Sequence, residues 1–209
     1  MFESLTAAQI VIFVVSILVS MSLHEAMHSF AAYWLGDATA KDEGRLTVNP
    51  IKHIDPITTV ALPTIMVLLH LPPILAAKPV PFDPRNVRWG EYGAALVALA
   101  GPFTNLLLAV LGAGFLRLFG TDLGTSVVNG ALIFISVNIG FFVFNMIPVP
   151  PLDGSRLLYA FAPEPLQRVM YTIESFGFFA ILAFFFILYP FIDGTVSDIY
   201  TSILQFLLG

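Results

Sequence analysis

At 209 residues, 57% hydrophobic, only 11% charged and with a mean hydropathy of +0.88, the chain stands far from a soluble domain, in which about a quarter of residues carry charge. Several runs of roughly 20 apolar residues are each long enough to cross a bilayer, so the composition describes an integral membrane protein. The absence of cysteine removes disulfides, thiolate zinc sites and thiol nucleophiles, and a net charge of −5 with nine Lys and Arg leaves no basic stripe for nucleic acid.

Residues 6–35 are almost wholly apolar. They lack both the opening Lys/Arg and the small-x-small cleavage site of a signal peptide, which predicts a retained membrane helix. The polar stretch 36–56 follows, and its alternating RLTV core, bounded by Gly44 and Pro50, predicts a short β-like element near 44–49. Residues 57–77 are apolar again but are interrupted by Pro63, Pro72 and Pro73, which predicts a re-entrant segment rather than a straight span. A second polar, proline-rich loop covers 78–92. Long helices are expected at about 93–119 and 127–147, joined by the connector GTDLGTS. A third loop, 148–168, leads to an aromatic-rich span at about 169–191. The remaining tail, 193–209, predicts only a short C-terminal helix. The expected fold is an all-α polytopic membrane protein with about four full transmembrane helices, forming a single membrane-embedded domain over 1–209 without internal repeats.

The chemistry concentrates in His24-Glu25-Ala26-Met27-His28, toward the end of the first helix. Positions i and i+4 share one helix face, so both imidazoles reach one metal ion while Glu25 faces the water on that ion. Three ionisable residues within five positions of a lipid-embedded helix are costly unless they line a cavity or bind something. A catalytic zinc site takes three protein ligands and one open position. Asp153 is the candidate for the third ligand, because the prolines of NMIPVPPLDG (145–154) break the helix at membrane depth. Taken alone, Asp153 reads equally well as a helix-capping residue, and H-E-x-x-H decides for the ligand. Gly101 and Pro102 permit a close backbone approach and free a carbonyl. Asn105, one turn later, and Asn145 are candidate substrate-binding residues, against the alternative of interhelical amide bonds. His53 is read as ordering its loop and His70 as a core histidine. Glu174 is expected to pair with Arg168 and to have no catalytic role.

The chain resembles the site-2 protease family of intramembrane zinc metalloproteases. HEAMH on a membrane helix, Gly101-Pro-Phe-Thr-Asn105 as G-P-x-x-N, and NMIPVPPLDG as N-x-x-P…D-G occur in the family's order, and GRLTVNPIKHIDP and KPVPFDPRN are similar to loops of the compact bacterial branch without PDZ or CBS domains. The resemblance spans about residues 20–160. It implies His24, His28 and Asp153 as ligands of one zinc ion per chain, Glu25 as catalytic base, and hydrolysis of peptide bonds in or near transmembrane segments of membrane-protein substrates. It also implies residence in a bacterial inner or plasma membrane. Two departures stand out: no membrane helix precedes the H-E-x-x-H helix, and the apolar segment 57–77 intervenes before G-P-x-x-N.

A divalent-metal transporter is the rival reading, but it calls for a second ligand-rich helix and a polar path, and the apolar cores of 93–119 and 127–147 contain no acid. With a re-entrant 57–77 segment, Lys41, Arg45, Lys52, Lys78, Arg85, Arg88, Arg156 and Arg168 share one side and only Arg117 lies opposite. The positive-inside rule then directs the metal site toward the cytoplasm.

Overall fold

The computed structural model describes residues 6–55, 59 and 80–209. Apart from Thr59, the segment expected to be re-entrant lies outside the described residues, as does His70. Helix α1 spans Ala7–Trp34 and opens with a capping box, in which Gln9 N–H donates to Thr6 Oγ1 and Thr6 N–H to Gln9 Oε1. It closes where Gly36 takes a φ of +113°, a conformation that costs glycine little. A short helix α2 (Thr39–Asp42) follows, then a 3₁₀ turn at Pro50–Lys52. Helix α3 covers Glu91–Phe119, α4 Thr125–Asn145, α5 Ser155–Phe161 and α6 Glu164–Ser175. Helix α7 (Phe178–Ala183) runs through a π-helical turn (Phe184–Leu188) into α8 (Tyr189–Leu208).

Among the described residues, four helical stretches are long and apolar enough to cross a membrane: Ala7–Trp34, Glu91–Asp122, Thr125–Asn145 and Phe179–Leu208. The chain is therefore an all-α polytopic membrane protein, as its composition required. Helices α1, α3 and α4 pack against one another, and α8 lies against α4 and α3. Lipid gives helices no hydrophobic reason to associate, so close packing depends on small residues that let backbones approach. Along α3 the buried positions Gly93, Val97, Gly101, Asn105, Ala109 and Ala113 recur every fourth residue and form such a seam. On α1, Ser16, Ser20, Ala26, Ser29 and Ala32 are buried.

Two expectations need correction. No strand occurs among the described residues, and 45–49 is irregular. Its backbone groups are satisfied locally, with Arg45 N–H donating to Ala40 O (2.7 Å) and Thr47 O accepting from His53 Nε2 (2.8 Å). No neighbouring strand among the described residues pairs with it, and alternation of side chains alone does not make a ladder. The second correction concerns the C-terminal third. The expected span 169–191 divides at Gly177, whose φ of +53° ends the amphipathic helix α6, and the chain from Phe178 onward runs into the supposed tail as one long helical stretch. Counted from 193 the tail is too short to cross, but joined to the apolar residues before it the helical stretch reaches 30 residues, and its two acids, Asp193 and Asp198, do not stop it.

Candidate metal centre

The site is built from three elements. His24 and His28 stand one turn apart on α1, and Asp153 lies in the loop after α4. That loop is closed by Gly154 N–H donating to Asn145 O (2.6 Å), and a Cβ at Gly154 would come within 2.8 Å of Ile147 O. Only glycine lets the chain double back so tightly. Ile147 and Leu152, buried against Phe184, hold the loop to the π-helical turn.

His24 Nε2 lies 3.1 Å and His28 Nε2 3.4 Å from Asp153 Oδ2, and the two Nε2 atoms are 2.9 Å apart. The opposite nitrogens decide what these atoms are. His24 Nδ1 is 2.6 Å from Asn105 Oδ1, and His28 Nδ1 is 2.8 Å from the Val97 carbonyl oxygen. Both oxygens only accept, so both Nδ1 atoms carry the hydrogen and donate it, which leaves the Nε2 atoms as the inward-facing nitrogens of both rings. Two imidazole nitrogens and a carboxylate oxygen thus converge on one point, an arrangement suited to a shared cation. The donor set fits zinc, with three protein ligands and a fourth position open. The histidine side chains are 6% and 12% exposed and Asp153 is 23% exposed, so the site opens on the aspartate side. Among the described residues this is the group of three such side chains close enough to hold one ion.

Gly101 explains how α3 comes so near. A Cβ there would lie 2.6 Å from His24 Nε2 and would also touch His28 Nε2. The close backbone approach expected at Gly-Pro is therefore directed at the imidazoles. Pro102, buried inside α3, cannot donate to Ala98 O. Asn105 is fully buried; its Nδ2 donates to Ser20 O (3.2 Å) and Asn138 Oδ1 (3.0 Å) while its Oδ1 accepts from His24. Asn145 Nδ2 donates to Phe141 O (3.0 Å) on its own helix. Glu25 accepts a hydrogen bond from Val80 N–H (3.2 Å), so the start of the 80–88 loop reaches the residue beside His24. His53 is buried and orders its loop. Glu174 pairs with Arg156 (2.6 Å), and Arg168 pairs instead with Glu164, one turn away. Asn138 was not singled out from the sequence, although an amide in the middle of an otherwise apolar span is itself a signal.

A donor set of this kind, carried on one apolar helix and on the loop that follows another, defines an integral membrane metalloprotein. Comparison with known proteins narrows the class. Over 93% of its length the chain is 34% identical to a Bacillus subtilis protein, covering 93% of that protein, which carries the name "Putative zinc metalloprotease YwhC". The same designation is given to Rip2 of Mycolicibacterium smegmatis, 29% identical over 79% of this chain and 62% of that protein. Rip2 of Mycobacterium tuberculosis strain H37Rv is 29% identical over 85% of this chain and 66% of its own. No protein-family model and no solved structure matches the chain. The chain belongs to the zinc metalloprotease family of YwhC, and its cofactor is Zn²⁺.

Proposed function

We propose that the protein is an intramembrane metalloprotease of the site-2 protease type, which hydrolyses peptide bonds in or near the transmembrane segments of membrane-protein substrates. The observation that carries this reading is the convergence of His24, His28 and Asp153 on one point, with Glu25 adjacent, on helices apolar enough to cross a bilayer. His24, His28 and Asp153 hold one zinc ion, which when bound supplies Lewis acidity toward water and toward the scissile carbonyl. Glu25 takes the proton of the attacking water and returns it to the leaving amine. Its carboxylate is already oriented by Val80 N–H, so the 80–88 loop takes part in placing the base.

A transmembrane helix keeps its carbonyls in internal hydrogen bonds, so a substrate must unwind locally before attack. Residues of low helix propensity are favoured near the cut. The 80–88 loop receives the unwound strand, a role supported by its backbone contact with Glu25. The protein works in a bacterial inner or plasma membrane with the site toward the cytoplasm, the side on which most of its Lys and Arg fall. The test compares wild type with Glu25→Gln on a panel of labelled single-span proteins in detergent, with and without a chelator. Cleavage by wild type that stops in both other arms is expected. Cleavage that survives Glu25→Gln overturns the reading.

A further inference from the structure

Zinc binding by His24 requires one of the two neutral tautomers, with the hydrogen on Nδ1 and the lone pair on Nε2. Asn105 Oδ1 selects that tautomer by accepting from Nδ1 at 2.6 Å. An amide has two faces, however, and a flipped Asn105 would present NH₂ to His24 Nδ1. Nδ1 would then accept, Nε2 would carry the hydrogen, and His24 would have no lone pair for the metal. Something must hold Asn105 in one orientation.

We propose that Asn138 is a positioning residue that, through Asn105, fixes His24 in its metal-binding tautomer. The relay starts from a backbone carbonyl. Asn138 is fully buried, and its Nδ2 donates to Phe134 O, one turn back on α4, at 2.9 Å. That bond leaves Oδ1 facing Asn105, where it accepts from Nδ2 at 3.0 Å. The second Nδ2 hydrogen of Asn105 goes to Ser20 O on α1 at 3.2 Å. Flipping Asn105 would set its oxygen against two acceptors, Asn138 Oδ1 and Ser20 O. Burial makes both clashes costly, because no water replaces the lost bonds. Without Asn138, one of the two clashes that oppose the flip disappears. The relay runs from α4 through α3 to α1 and so ties the tautomer to the packing of three spanning helices.

The inference rests on His24 being a zinc ligand, and the experiment separates the two. Zinc affinity of the full chain in detergent is measured by competition with a fluorescent chelator for wild type, Asn138→Leu, Asn138→Asp and His24→Ala. An aspartic acid kept neutral by its apolar surroundings retains both polarities, its carbonyl accepting from Asn105 and its O–H donating to Phe134 O. Asn138→Leu is expected to weaken zinc binding about tenfold or more, the range for outer partners of metal-bound histidine, and Asn138→Asp to stay within about threefold of wild type. The four histidines make ring-nitrogen NMR of the metal-free chain assignable, with His24→Ala identifying the His24 signals. Wild type and Asn138→Asp should show His24 as the Nδ1–H form, and Asn138→Leu a mixture of forms. An unchanged tautomer in Asn138→Leu, or an affinity loss in Asn138→Asp as large as in Asn138→Leu, overturns the relay. Zinc retained by His24→Ala overturns the ligand assignment and the relay with it.

Discussion

Replacing Glu25 by Gln keeps an oxygen for Val80 N–H but removes the base, so cleavage is expected to disappear while zinc stays bound. Asp153→Ala should instead lower zinc content, because the carboxylate contributes one of the three converging donors. Metal analysis of both purified variants checks the pair; equal metal loss in both would contradict the assigned roles. Gly101→Ala sets two effects against each other. Helix propensity favours alanine by about 1 kcal/mol. The added methyl would nevertheless lie 2.6 Å from His24 Nε2, so zinc affinity should fall at least about tenfold, read by chelator competition. Asp37, outside the spans, has a different task. Burial pushes its carboxyl up, but hydrogen bonds from the Thr39 hydroxyl, Asp83 N–H, Thr39 N–H and Asn86 Nδ2 outweigh this and hold it below the ordinary carboxylate value. A lowered folded-state value means the contribution is present above the unfolded value and is lost as pH falls through the folded one. The 80–88 loop should therefore loosen only in acid, once pH falls below the ordinary carboxylate range, seen as faster amide exchange at Asp83, and Asp37→Asn should loosen it already at neutral pH.

Among the elements, α5 matters because it continues the loop that carries Asp153, with Arg156 N–H donating to Asp153 O at 3.0 Å. Its anchor to α6 is the Arg156–Glu174 pair at 2.6 Å, supported by Tyr159 OH donating to Glu174 Oε2 at 3.1 Å and by the Arg156 guanidinium 4.7 Å above the Tyr159 ring. The two charged side chains are only 12% and 27% exposed, so removing one partner leaves the other poorly solvated. Glu174→Ala should lower stability by about 2 kcal/mol, somewhat below the range for a fully buried pair, as measured by thermal unfolding in detergent. The sequence assigned Glu174 to the nearest cation in the chain, Arg168. The actual partner stands on another helix, because α6 turns Glu174 toward α5 while Arg168 stays exposed and bonds to Glu164 within its own helix. Helix type was readable from apolar runs, but the boundary at Gly177 depended on a backbone angle that apolar content does not express.

At the scale of the molecule, Arg88 N–H donates to Leu35 O at 2.9 Å, so the chain leaves α1 and approaches α3 at the same place. The end of α1, the start of α3 and the end of α4 share that side, as the shared site at His24, His28 and Asp153 also demands. The chain has no native cysteine, so single cysteines at Asp42, Asp83 and Asp122 report topology with a membrane-impermeant thiol reagent. Positions 42 and 83 should be protected in intact cells and labelled after permeabilisation, while position 122 reacts from outside. Opposite exposure of 42 and 83 would overturn this arrangement and the cytoplasmic orientation proposed with it.

What the sequence determined by itself was everything that local spacing or composition expresses. Apolar length specifies that the chain spans a membrane as helices, though not where the last span begins and ends, and an i, i+4 pair places His24 and His28 on one face of whatever helix carries them. Gly101-Pro102 and the proline-broken 145–154 segment announced unusual backbone, though not what that backbone would touch. Only the tertiary structure brought Asp153 to His24 across 129 positions, aimed the bare face of Gly101 at the imidazoles, and joined Asn138, Asn105 and His24 across three helices. It also left 45–49 without a strand partner among the described residues. The reason is the same in each case: a helix dictates the contacts within one turn of itself, whereas which face meets which neighbour follows from how small residues let separate helices approach, and that is a property of the packed bundle.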